Sequence, residues 1–126
     1  MQQITRLVST AVLATASITA GAELVNVAWD VEGRFSKQLA VPAGKFVEVC
    51  SKLARGNKVA WTFQADGPLD FNVHYHLDKD VRFPAKQAEV QSSDGVLDVQ
   101  VAQDYCWMWT NKTTSSASLK LVLERR

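Results

Sequence analysis

Lys58-Val-Ala-Trp-Thr-Phe-Gln-Ala65 places Val59, Trp61, Phe63 and Ala65 on one side of an extended chain and Lys58, Ala60, Thr62 and Gln64 on the other. A period of two with one greasy side predicts a β-strand that buries one face and wets the other. The next run, Asp70 to Leu77, repeats the pattern: Phe71, Val73, Tyr75 and Leu77 oppose Asn72, His74 and His76. Near the C-terminus Leu119, Leu121 and Leu123 oppose Lys120, Val122 and Glu124. Tyr105-Cys-Trp-Met-Trp109 differs, being apolar on both faces, as a central or covered strand is. Further β-rich runs span Leu24 to Trp29, Phe35 to Val41, Lys45 to Lys52, Val81 to Phe83 and Val96 to Val101. Turn chemistry separates the runs: Glu32-Gly33, Pro42-Ala43-Gly44, Arg55-Gly56-Asn57, Asp66-Gly67-Pro68, Asp78-Lys79-Asp80 and Ser93-Asp94-Gly95. No stretch has helical period. The reading is all-β: an antiparallel β-sandwich of about eight strands, or a barrel.

At 126 residues the chain has room for one domain. Its 47% hydrophobic and 21% charged residues are ordinary globular composition. Residues 1 to 22 read as a signal peptide: one charge, Arg6, then an apolar stretch from Leu7 to Ala20 too short to span a membrane. Ala20 and Ala22 fall where a signal peptidase needs small side chains, so the mature chain is expected to start at Glu23 and to form a single domain over residues 23 to 126. A periplasmic or secreted location follows, with no membrane span. Cleavage removes one base and no acid from the chain's 14 bases and 13 acids, leaving 13 of each. A neutral chain with no basic stripe is not built to release counterions from nucleic acid.

An exported chain with two cysteines, Cys50 and Cys106, favours one disulfide; free thiols acting as soft metal ligands are the alternative. The order Val41-Pro-Ala-Gly-Lys45, Trp61-Thr-Phe63, Asp70-Phe-Asn-Val73, Asp104-Tyr-Cys-Trp-Met-Trp-Thr-Asn111 and Ser118-Leu-Lys-Leu-Val-Leu123 resembles the GOLD (Golgi dynamics) domain. That resemblance, from about Pro42 to Glu124, implies a sandwich of GOLD or jelly-roll type, a non-catalytic role, and a bridge between Cys50 and Cys106.

The chemistry-bearing candidates are few. His74 and His76 are the two histidines, and on a strand residues two apart point the same way about 7 Å from each other. Imidazoles so placed suit copper or zinc, with Asp78, Asp80 or Met108 to complete the sphere. The opposite reading leaves them on the wet face of a strand. Cys106 shares a face with Met108 and would suit Cu(I) only as a free thiol. Tyr105, Trp107 and Trp109 share the other face; exposed, they would form a stacking platform for a sugar or a protein partner, and buried they are core. Asn111-Lys-Thr113 is a glycosylation triplet relevant only to a eukaryotic secretory host. His-x-His-x-Asp echoes metallo-β-lactamase-type hydrolases, but those need a larger αββα domain and further histidines. No nucleophile sits beside a base. The expected function is therefore a non-enzymatic binding module that requires no cofactor. It takes either a copper or zinc ion on the His-x-His strand or a protein partner on an exposed aromatic face.

Overall fold

The computed structural model describes Thr10, Ala11 and residues 23–126. The expected signal peptide and its Ala20–Ala22 cleavage site otherwise lie outside the described residues. Seven strands follow one another: β1 (Glu23–Asn26), β2 (Arg34–Val41), β3 (Phe46–Leu53), β4 (Lys58–Leu77), β5 (Asp80–Asp98), β6 (Gln103–Thr110) and β7 (Ala117–Arg125). They form one sheet in the order β1-β3-β6-β4-β7-β2, with β5 paired to β4. The β1–β3 pair is parallel and the rest antiparallel, so the sheet is mixed. The expectation of about eight antiparallel strands in two sheets holds in its coarse part: the described residues are all-β, and they form seven strands in one mixed, curled sheet.

The nine sequence runs become seven strands because two pairs fuse. Asp66-Gly67-Pro68 reads as a turn, yet β4 continues through it. One edge of β4 pairs with β5 along its length, with register shifts between Gln64 and Leu69. Its other edge changes partner, from β7 at Val59 to Ala65 to β6 at Asp70 to Tyr75. Proline lacks an N–H, and a corner where pairing is handed over is one place in a sheet that tolerates it. Two carboxylates complete the corner. Asp66 Oδ1 accepts the Ser118 N–H at 2.7 Å just past the last β4–β7 pair, and Asp70 Oδ1 accepts the Glu89 N–H at 3.0 Å where β5 bulges. Ser93-Asp94-Gly95, also read as a turn, lies inside β5 opposite β4.

The handover splits the sheet into two arms that curl over one core. One arm supplies Leu39 and Val41 of β2, Leu119, Leu121 and Leu123 of β7, and Val59, Trp61 and Phe63 of β4. The other supplies Val47 and Val49 of β3, Tyr105, Trp107 and Trp109 of β6, and Phe71 and Val73 of β4. Phe63 meets the Trp109 ring at 5.5 Å edge-on and Phe71 at 4.9 Å, joining the two arms. Trp107 and Trp109 are both 0% exposed, and burying each is worth about 4–6 kcal/mol at most against an extended chain. Asn111, also fully buried, closes the β6–β7 loop: its amide donates to the Val41 and Ser115 carbonyls, and its Oδ1 accepts from the Thr113 N–H and hydroxyl.

Candidate functional site

Odd-numbered residues of β4 point into the core, so Asn72, His74 and His76 point out from the β1-β3-β6-β4 arm, as their alternation predicts. Cross-strand register builds two neighbouring rows on that outer face. Asn26, Cys50, Cys106 and His74 lie side by side across four strands, and Leu24, Glu48, Met108 and Asn72 form the next row. Cys50 and Cys106 are directly opposed and joined by a disulfide. Closing a loop with a sequence separation of 56 raises the free energy of the unfolded chain by about 4 kcal/mol in the chain-entropy model. The bridge also places the domain in an oxidising compartment, the periplasm or the cell exterior.

His74 faces outward and is nevertheless only 5% exposed, because its neighbours cover it. Glu48 reaches across β6, bringing Oε1 to 3.3 Å from His74 Nε2. The His76 ring stands edge-on at 5.5 Å and the Phe83 ring at 6.1 Å. On the far side of the imidazole, Nδ1 lies 2.7 Å from Asn72 Oδ1. An amide oxygen accepts only, so with the Asn72 amide in this orientation Nδ1 carries a proton and donates it to Asn72. Burial pushes the His74 imidazole below its ordinary value; the Glu48 carboxylate pulls the other way, and His76 adds to the lowering. Glu48, His74 and His76 all open onto a shallow groove of about 620 Å³, whose floor is the disulfide and whose walls include Lys52 and Asp104. Leu24 on one side of it and Phe83 beside His74 on the other are large apolar side chains left exposed.

The chain folds like the periplasmic inhibitors of g-type lysozyme. The inhibitor from Aeromonas hydrophila matches over 84% of this chain and 98% of its own, at a TM-score of 0.60 and 10% identity. That from Salmonella Typhimurium matches over 82% and 98%, at 0.59 and 10%. The pre-peptidase C-terminal domain of a Bacillus anthracis collagenase matches over 82% and 94%, at 0.60 and 9%. No family model and no curated protein matches. At such identities the likeness is one of fold: β-sandwich-like, and not specifically that of a GOLD domain.

The residues singled out in the sequence fare differently. His74 and His76 come together, but Asp78 does not join them. The chain reverses at Asp78, which sits exposed at φ 56° in the hairpin turn between β4 and β5 and lies outside the groove. Asp80 starts the returning strand and pairs with Leu77. Cys106 is held in the disulfide and has no thiolate to offer a soft ion. Met108 is half-buried in the row beside His74, next to Glu48 and Asn72, and lines no part of the groove. The exposed aromatic face is corrected: Tyr105, Trp107 and Trp109 are 2%, 0% and 0% exposed, because β6 is a central strand whose odd face is core. Tyr105 spends its hydroxyl locally, donating to the Val101 carbonyl at 2.7 Å. Glu48 is the residue the sequence reading missed. Its signal was its place between inward-facing Val47 and Val49, which puts it on the same face as Cys50.

Proposed function

We propose that this chain is an exported, non-enzymatic module that binds a protein partner through the outer face of the β1-β3-β6-β4 arm, after removal of residues 1 to 22. The observation that carries the reading is the shared fold with periplasmic lysozyme inhibitors over more than four-fifths of the chain. The groove supports it: an open hollow flanked by exposed Leu24 and Phe83, with Glu48, Lys52 and Asp104 supplying charge, has the apolar and polar mixture of a recognition surface. A metal-binding role for the His-x-His strand rests on separate geometry and is argued below.

The partner to test first is a g-type lysozyme. Purified residues 23–126 added to such an enzyme acting on bacterial cell walls should suppress lysis as the ratio approaches one to one. Leu24→Asp and Phe83→Asp should relieve the suppression while leaving the thermal midpoint near wild type, since both side chains are exposed. Uninhibited lysis would remove lysozyme as the partner. If, in addition, crosslinking in the periplasm joined no protein to this face, the protein-binding reading would fall.

A further inference from the structure

We propose that Glu48, His74 and His76 form an open site for a divalent transition-metal ion, Cu(II) or Zn(II), in the disulfide-closed protein. Two candidate donor atoms face each other across β6. With Nδ1–H donated to Asn72, His74 Nε2 lies 3.3 Å from the Glu48 carboxylate. A cation can sit between these two donor atoms, at an imidazole that its neighbours keep buried. An ion 2.0–2.1 Å from each atom would subtend roughly 105–110° at that separation, close to the tetrahedral angle.

The surroundings match what such an ion needs. Asn72 fixes the tautomer and plane of His74 from behind, as the hydrogen-bond partner of a metal-ligating histidine does. His76, two residues along the same strand face and exposed, has its ring centroid 5.5 Å from that of His74 and would supply the third donor after a side-chain rotation. The Cys106 sulfur lies within 4.8 Å of the Glu48 and His74 donor atoms, but the disulfide withdraws it. The donors that remain are two nitrogens and one carboxylate oxygen, a set that suits Cu(II) and Zn(II), with Cu(II) the tighter by the usual order of affinities. The groove leaves a fourth position open to water or to a group brought by a partner.

The test uses metal-free residues 23–126 with the disulfide intact, titrated with copper(II) chloride and zinc chloride by calorimetry. Each should bind at one equivalent, copper the tighter, and Glu48→Gln or His76→Ala should each weaken binding by roughly tenfold or more. Asp78→Asn, outside the site, should leave the affinity unchanged. In the electron paramagnetic resonance of the copper form, two nitrogen ligands should be counted in wild type and one in His76→Ala. Absence of saturable binding, or binding indifferent to Glu48→Gln and His76→Ala, overturns the proposal. So does a proton on His74 Nε2 that persists in nitrogen NMR after zinc is added, because a turned-over Asn72 amide would then be holding the other tautomer. None of these outcomes depends on a protein partner.

Discussion

Adding one methyl group to β5 at Gly95 should unsettle the core through Trp61. The two residues are paired across β4 and β5, and the Trp61 indole lies flat over the glycine. A Cβ at Gly95 would fall 2.3, 2.6 and 2.8 Å from Cζ2, Cη2 and Cε2 of that ring, where unstrained carbon contacts lie at about 3.5–4.0 Å. The ring must therefore retreat by roughly an ångström or more. It has little room, being 8% exposed, tilted against Phe71 at 5.8 Å, and hydrogen-bonded from Nε1 to the Ser93 hydroxyl at 3.3 Å. Overpacking of this kind costs about 1–3 kcal/mol, and the stiffer unfolded chain of an alanine variant returns about 0.4–1 kcal/mol. The net for Gly95→Ala is a loss of roughly 1–2 kcal/mol, a thermal midpoint lower by roughly 5–15 °C in a domain of this size. Circular dichroism melts of the oxidised protein measure it. In a Trp61→Leu background the same substitution should be neutral or stabilising, since the ring is gone. A Gly95→Ala midpoint equal to or above wild type would refute the packing argument.

Replacing Cys50 and Cys106 together by alanine should cost about 4 kcal/mol in urea unfolding; a loss below about 1 kcal/mol would mean that the reduced unfolded chain keeps these strands close. Asn111→Ala should cost about 1–3 kcal/mol by the same measurement, because it leaves the buried Val41 carbonyl without its amide donor and the Thr113 N–H without its acceptor; the Ser115 carbonyl keeps the Thr113 hydroxyl. Acid should weaken the β4 corner. The Lys112 ammonium and, after it, the Glu89 N–H hold the Asp70 carboxyl below the usual carboxylate value. A carboxyl depressed in the folded state stabilises above its unfolded value of about 4, and that contribution is lost as pH falls through the folded value. Asp70→Asn should accordingly flatten the fall in urea midpoint below about pH 4, and a variant curve parallel to wild type would contradict the assignment.

Alternation alone located the inward faces of β4 and β7, because a period of two survives whatever the strand pairs with. The glycine turns at Gly33, Gly44 and Gly56 were equally legible, and all three adopt positive φ. The corner at Asp66-Gly67-Pro68 was not. Locally it has every property of a turn, and only the Ser118 N–H waiting on Asp66 and the bulged β5 alongside make a continuous strand the better solution. Trp107 and Trp109 illustrate a different limit. Both faces of β6 are apolar, so the sequence could not say which one the core would claim; the strand order decided it. For His74 the alternation was right about direction and silent about burial. Its cover comes from Glu48, two strands away, and from Phe83 beyond the hairpin, neighbours that only the β3–β6–β4 register brings together.

The unbroken run of β4 through both arms bears on how the molecule opens. A sandwich of two separate sheets can shed one layer, or let the layers slide, while each keeps its own hydrogen bonds. Here the β4–β5 hairpin belongs to both layers, so peeling β7 and β2 away, or β6, β3 and β1, loosens the same strand from opposite ends. Amide hydrogen exchange in the two layers should then report a single cooperative opening rather than two sub-global ones. With so many contacts between residues distant in sequence, that cooperative unit also has to be assembled late and slowly.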